Sequence, residues 1–444
     1  MTARARQVAH TVTARAGVLV LAGLSGVAVA RALQPDGRGA YFVIVTIASI
    51  TLSVGHLSIE QSQTWLWSQR DGAGRVALAA NSVLLGLGVG AGAALGCAAI
   101  IAVLGQDRMP VASYACLALA LAAIPGGMAV LYLNNILVLR ARVDVVNRAG
   151  VLAALLQCVA ILALGALGRL TLGWAVVLWT ASMVGPLVVL LPAVRPRPRD
   201  RDAALARCAI VKGLRYHIGL ASLFLLFRSD ILILDGMTTA SAVGLYSLAV
   251  SLAELTRLVT DSIAQVALPG QMERDEAGAI TATVRATRFT ALFAGGSVGL
   301  MCLAAPLAVP VAYGAAFAAC VPALLALAPG LFALGATRPI GAFLLRLDRP
   351  FLASAMTVLA LVLNVALNLA LIPVFGIVGS AVASSLAYAM LAAAQTAWFL
   401  RATRTPLRGL LPGGAELAYT WARARRLRRL RTPRRRRALD VRGG

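Results

Sequence analysis

Lysine is almost absent from this sequence: of its 41 basic residues 40 are arginine, and Lys212 is the single exception. Acidic residues number 17, and the only histidines are His10, His56 and His217. Six cysteines (Cys97, Cys116, Cys158, Cys208, Cys302 and Cys320) fall singly, mostly within apolar runs and without a C-x-x-C spacing. That spacing supports neither a disulfide framework nor a zinc cluster, and three scattered histidines offer no ligand set for a metal. Between the apolar runs no polar stretch exceeds roughly 25 residues. A soluble catalytic domain has no room there.

What is present instead is apolar. Hydrophobic residues make up 60% of the 444, and the mean hydropathy is +0.83. A spanning helix needs about 20 mainly apolar residues. Twelve candidate spans fit: 16–33, 40–59, 76–104, 111–137, 143–167, 170–194, 217–236, 241–269, 286–311, 319–345, 351–373 and 377–400. The chain therefore reads as an all-α polytopic membrane protein of about twelve transmembrane helices. Its start imitates a secretory signal, with Arg4, Arg6 and Arg15 ahead of an apolar run ending in Ala28-Val29-Ala30. A cleaved signal usually precedes a soluble domain, whereas apolar runs here continue to Leu400, so the segment is read as the first span.

The arginines are distributed by side. With the N-terminus inside, inner segments hold 34 basic residues, and outer segments hold four, Arg31, Arg38, Arg108 and Arg169. Arg228, Arg257 and Arg338 lie within helices. This asymmetry orients both termini to the cytoplasm and agrees with an even number of helices.

The halves echo each other at an offset of 205 to 206 residues. Gly39-Ala40-Tyr41 matches Gly244-Leu245-Tyr246, Arg140 matches Arg346, and Gly173-Trp174-Ala175 matches Gly379-Ser380-Ala381. Three matches in the same helix order indicate duplicated six-helix lobes, at 1–194 and 217–402, related by an axis along the membrane normal. Residues 195–216 read as a basic, proline-interrupted cytoplasmic linker, and 403–444 as an Arg-rich cytoplasmic tail. Within the tail, 417–430 alternates Leu417, Trp421, Ala424 and Leu427 with arginines. That is the pattern of a basic amphipathic helix on an anionic lipid surface; tethering at the membrane argues against nucleic acid as its partner.

Ionised side chains in the hydrocarbon core cost at least ~2.5–3.5 kcal/mol and must face protein or a water-filled cavity. Glu254, Arg257 and Asp261 share one helix face at i, i+3 and i+7, so Arg257 can pair with either carboxylate. Either this is a self-neutralising ladder, or the carboxylates bind a coupling ion while Arg257 meets substrate. Arg228 has no good partner in its own helix, because Asp230 points elsewhere and Asp235 lies two turns on. It pairs either with an interhelical carboxylate such as Glu254 or Asp261 or with an anionic ligand. Arg338 precedes Pro339 in the tenth span, a broken-helix signature if it does not simply snorkel to the interface. Asn364 and Asn368 form one polar face, for interhelical hydrogen bonding or for lining a cavity. His56 and Glu60, i and i+4 at the inner end of the second span, are either a hydrated helix end or a protonation gate. Gly88, Gly92 and Gly96 read as small-residue helix packing.

Three stretches resemble the polysaccharide-transporter (oligosaccharide-lipid flippase) branch of the MOP exporter superfamily. They are Arg31-Ala32-Leu33-Gln34-Pro35-Asp36-Gly37-Arg38-Gly39-Ala40-Tyr41, Arg228-Ser229-Asp230 followed by Gly244-Leu245-Tyr246-Ser247, and Asn364-Val365-Ala366-Leu367-Asn368 running into Leu371-Ile372-Pro373-Val374-Phe375-Gly376-Ile377-Val378-Gly379. The likeness covers about 16–400 and leaves the tail outside. It implies a MATE-like fold, a location in the bacterial inner membrane, and translocation of a polyprenyl-pyrophosphate-linked sugar from the cytoplasmic to the outer leaflet by alternating access. No cofactor is implied beyond H⁺ or Na⁺ coupling, for which Asp230, Glu254 and Asp261 are the candidates. Arg228, Arg257, Arg338, Asn364 and Asn368 are the candidate substrate contacts. A polysaccharide polymerase or glycosyltransferases are the implied protein partners. The rival readings are a cation-coupled multidrug exporter of the same superfamily and a membrane glycosyltransferase or polysaccharide ligase.

The charge asymmetry sets a topology test. Cysteines introduced at Gly37 and Met237 are expected to label from outside, and those at Gly72 and Ala204 only after permeabilisation. External labelling at Ala204 would reverse the orientation.

Overall fold

The computed structural model describes residues 3–104, 111–272, 275–346 and 350–413. The expected tail helix at 417–430 lies outside the described residues. Every regular element among them is helical. One lobe holds α1 (Ala3–Gly55), α2 (Ile59–Gln69), α3 (Gly72–Leu104), α4 (Val111–Ala122), α5 (Ile124–Leu139), α6 (Val143–Ala166), α7 (Leu172–Val184) and α8 (Leu187–Val194). The other holds α9 (Ala203–Leu226), α10 (Ser229–Met237), α11 (Ala240–Met272), α12 (Glu276–Tyr313), α13 (Val321–Ala336), α14 (Arg338–Arg346) and α15 (Pro350–Thr403). Each lobe has its own large apolar core, around Tyr132 and Leu133 in the first and around Tyr246, Phe317 and Leu324 in the second.

Among the described residues, ten helical segments are long and apolar enough to cross a membrane. Two of them, Thr13–Gln69 with 57 residues and Phe351–Thr403 with 53, are more than twice the length one crossing needs. Each is broken by a backbone excursion beside a proline: Gln34 at φ 55°, ψ 178° before Pro35, and Gly376 at φ 55°, ψ −132° after Pro373. Proline removes a donor and disfavours a continuous helix, so each long helix serves as two passes and the passes come to twelve. Four further expected spans are each split in two: at Ala123, at Gly185-Pro186, at Phe227-Arg228 and at Thr337.

The seventh span departs most from expectation. It was read from 217, yet α9 starts at Ala203, within the stretch read as linker. Arginines and Lys212 disguised the helix, but Leu205, Ala209, Gly213 and His217 recur every four residues and are all buried. The Asp202 carboxylate caps it by accepting the Leu205 N–H at 3.0 Å, and Asn81 on α3 donates to the Asp202 carbonyl at 2.8 Å. A side-chain cap of this kind is a common helix start.

Two other expectations need correction. A Cβ built on Gly88, Gly92 or Gly96 meets nothing within 4 Å, whereas one on Gly86 or Gly90 would come within 2.5 Å of Ala129 or Pro125 on α5. The packing face of α3 is therefore the one carrying Gly86 and Gly90. Arg38 was counted with the outer loops, yet it is 5% exposed. It donates to Ser247 Oγ at 3.0 Å, Ser251 Oγ at 3.3 Å and the Gly26 carbonyl at 3.3 Å.

Arg38 sits where the lobes meet, with α1 along α11. The repeat-related glycines touch there: a Cβ on Gly39 would lie 1.9 Å from the Ala240 carbonyl oxygen, and one on Gly244 would lie 1.9 Å from the Pro35 carbonyl oxygen. Each glycine packs against the backbone beside its counterpart, so the pseudo-symmetry axis passes between them. Overpacking of this kind typically costs about 1–3 kcal/mol. Gly244→Val is expected to lower the melting temperature of the purified protein, with Gly88→Val, on the open face of α3, as the unaffected control. Equal melting of both variants would contradict the close approach.

Candidate functional site

The second lobe gathers charge around its helix breaks. α9 ends at Leu226 and α10 starts at Ser229, with Arg228 at φ −135°, ψ −22° between them. The break turns Arg228 toward α11, where Nη2 donates to Glu254 Oε1 at 2.7 Å. Its Cζ also lies 5.7 Å from the ring of Phe42 on α1, in the other lobe. One helix over, the Thr337 break frees Arg338 to donate through Nε to Asp261 Oδ1. Of the two readings for Arg228, the interhelical salt bridge is the one formed.

The in-helix ladder is absent. Glu254 and Asp261 are taken by guanidiniums from α10 and α14, which leaves Arg257 between them without a carboxylate in ion-pair range among the described residues. Its Cζ rests 3.9 Å from the centre of the Phe227 ring, a cation–π contact. Its buried Nε has no hydrogen-bond partner. Arg257 and Glu254 line a small, part-open cleft of about 20 Å³ with Phe227, Val250, Leu331 and Tyr388.

Asp230 lies apart from these pairs, 1% exposed. Its Oδ1 accepts the Ile231 N–H at 2.9 Å, and its Oδ2 accepts Tyr246 OH at 2.6 Å and Ser384 Oγ–H at 3.0 Å. The chain of hydrogen bonds continues through both halves of α15. Asn364 donates to Ser384 Oγ at 3.1 Å, Asn368 to the Asn364 carbonyl at 2.9 Å, and Ser380 to Asn368 Oδ1 at 2.7 Å. Both asparagines are wholly buried in this network, which is the interhelical reading of their spacing. The sequence reading missed Tyr246, Ser380 and Ser384 as partners, although Ser380 and Ser384 repeat the i, i+4 spacing of Asn364 and Asn368 and could have been paired with it.

A family model described as polysaccharide biosynthesis protein matches residues 28–322. The chain belongs to that family. No curated protein matches it. Solved structures share its fold. An inward-facing multidrug-resistance MATE family transporter of the MOP superfamily superposes with a TM-score of 0.72 at 16% identity, over 86% of this chain and 94% of that one. A MATE transporter in complex with MaD3S gives 0.63 at 18% identity, over 87% and 92%. A MOP superfamily transporter from Pyrococcus furiosus, described by the reverse polarity of its binding pocket, gives 0.61 at 15% identity, over 88% and 93%. Family and fold together make this chain a multi-pass membrane protein of a polysaccharide biosynthesis family, with the fold of MATE and MOP superfamily transporters.

The Arg228–Glu254 pair is half-buried, with side chains 19% and 34% exposed. Removing one partner should cost between the ~1 kcal/mol of an exposed pair and the ~3–5 kcal/mol of a buried one. Arg228→Ala is expected to lower abundance and melting temperature, and adding Glu254→Gln should restore both by removing the stranded charge. An Arg228→Ala protein of normal stability would show that the pair contributes little to folding.

Proposed function

We propose that the protein is a transporter and specifically a flippase, carrying a lipid-linked oligosaccharide or related polysaccharide precursor from the cytoplasmic to the outer leaflet of a bacterial inner membrane, with both termini cytoplasmic. Support comes from the family match and from one observation: Arg257 lines the cleft as a cation with no carboxylate in ion-pair range among the described residues, Glu254 beside it being engaged by Arg228. A guanidinium in that condition suits pyrophosphate oxygens, which it can meet bidentately. The sugar–pyrophosphate head would then sit at Arg257, between the Arg228 and Arg338 pairs, while the polyprenyl tail stays in lipid. Rocking of the lobes about that site would alternate access. Asp230 is the candidate for H⁺ or Na⁺ coupling, since a carboxylate this buried holds its charge only while its hydroxyl donors, or a bound cation, remain in place. The basic tail would contact anionic lipid, and polymerase or glycosyltransferases would supply and consume the substrate.

The second reading is a cation-coupled multidrug exporter. It is favoured by the aromatic lining of Phe227 and Tyr388 and by the drug-transporting relatives in this fold.

Reconstituted vesicles separate the two readings. Flipping of a fluorescent lipid-linked oligosaccharide is expected to fall about 10- to 150-fold in Arg257→Ala, the ~1.5–3 kcal/mol of a hydrogen bond to a charged group, and to be partly retained in Arg257→Lys. An imposed proton or sodium gradient should accelerate the unmodified protein but not Asp230→Asn. Unchanged flipping by a stable Arg257→Ala protein would sink the pyrophosphate contact. Drug efflux without flipping would favour the exporter.

A further inference from the structure

Between α1 and α2 the chain turns through Leu57 and Ser58, both left-handed at φ 51° and φ 50°. Residues with side chains avoid this conformation, so the corner needs to be held. The Ser58 N–H donates to His56 Nδ1 at 2.9 Å, and Tyr132 OH on α5 donates to the His56 carbonyl at 2.7 Å. The corner also docks on the other lobe. Ser58 Oγ lies 3.2 Å from His217 Nδ1 on α9, and the two imidazoles meet edge-to-face with centroids 5.5 Å apart. The approach is close enough that a Cβ on Gly213 would come within 2.4 Å of the Leu57 carbonyl oxygen. Ser58 is wholly buried there.

Glu60 competes for the same imidazole nitrogen. Its Oε2 stands 3.3 Å from His56 Nδ1 and is buried with no hydrogen-bond partner. An imidazole nitrogen carries either a lone pair or a proton. Unprotonated, Nδ1 accepts the Ser58 N–H and gives Glu60 nothing. Protonated, it must donate, and Glu60 is the acceptor in reach, while the Ser58 N–H loses its partner.

We propose that His56, Glu60 and His217 form a protonation-controlled latch between the lobes at the cytoplasmic end of the transport path. Neutral His56 holds the left-handed corner against α9. Protonated His56 hands its hydrogen bond to Glu60 and frees the corner, and a second positive charge on His217 pushes the two elements apart. The surroundings favour release. Lys212 on α9, seated 3.2 Å over the Trp65 ring of α2, is a fixed positive charge on the α2–α9 contact. From α5, Tyr132 and Asn135 contribute neutral groups, Asn135 donating to the Glu60 carbonyl at 2.9 Å. Neither α3 from Val76 onward nor α15 between Pro350 and Leu400 carries a charge. Glu60 is thus the acid that receives the proton's hydrogen bond.

The latch rests on the lobes moving against each other, as proposed above, but its readout is a distance. Spin labels at Gln61→Cys on α2 and Leu214→Cys on α9, with the six native cysteines replaced by serine or alanine, would report the separation in lipid nanodiscs. As pH falls from about 8 to about 5, the range in which histidine changes charge, a longer-distance population is expected to grow severalfold. His56→Asn, whose amide oxygen still accepts the Ser58 N–H but takes no proton, should keep the short distance throughout. Glu60→Gln should shrink the response. The same pH response in His56→Asn and Glu60→Gln would overturn the latch. So would a fixed distance in the parent protein, and if lipid-linked substrate still crossed the vesicle membrane, the flippase reading would survive that result.

Discussion

Glu254 and Arg228, 2.7 Å apart on α11 and at the α9–α10 break, show the constraint that shapes the interior of this protein. Charge inside a membrane must be answered by protein, and here the answers are unequal by sign. Glu254 has Arg228, Asp261 has Arg338, and Asp230 has two hydroxyls and a backbone N–H. Arg257 has only an aromatic face, and Arg38 only hydroxyls and a carbonyl. The surplus is cationic. A cleft whose acids are already engaged while one arginine is not is receptive to an anion, which is why the proposed substrate carries its charge as pyrophosphate.

Helix breaks make that pairing possible. An unbroken α9–α10 would carry Arg228 straight past α11, and an unbroken α13–α14 would do the same for Arg338. Each break frees backbone groups that lipid cannot satisfy. Around the α13–α14 break side chains add donors, the Thr337 hydroxyl to the Ala333 carbonyl at 3.0 Å and Gln271 to the Pro339 carbonyl at 3.1 Å. Breaks and charges therefore occur together because one positions the other. The Gln34 and Gly376 breaks differ, since they reverse the chain between passes, and the first delivers Gly39 to its contact with Gly244.

The sequence carried the span count and the lobes more clearly than it carried which charged side chains would pair. Length and hydropathy locate spans because lipid thickness sets both, and the Gly39/Gly244 repeat match turned out to be a physical contact. Pairing was less legible. From spacing alone Arg257 had two acids within its own helix, and only the three-dimensional breaks show that α10 and α14 reach them first. The start of α9 was hidden because its arginines resemble a linker until the four-residue recurrence of Leu205, Ala209, Gly213 and His217 is noticed. Gly88, Gly92 and Gly96 are a regular stripe that faces open space, a reminder that periodicity fixes a shared face and not its partner. Arg38 was misplaced because positive-inside counting assigns any arginine near a turn to the loop.

The contacts between lobes differ in chemistry at their two ends, and that difference gives protons a place to act. Where α1 meets α11 and α12, the bonds run from guanidinium to hydroxyl and carbonyl oxygens, with Arg38 reaching Ser247 on α11 and Arg31 reaching the Val311 and Ala312 carbonyls of α12 at 2.7 and 2.8 Å. Groups of these kinds do not change charge between about pH 5 and 8. Where the α1–α2 corner meets α9, two of the three histidines in the whole chain face each other across the interface. A chain this poor in histidine has placed the pair at one inter-lobe contact and, among the described residues, none at the other. In the proposed transport cycle an ion gradient would therefore be felt at Asp230, inside the second lobe, and at this corner, while the Gly39–Gly244 contact offers it no titratable group.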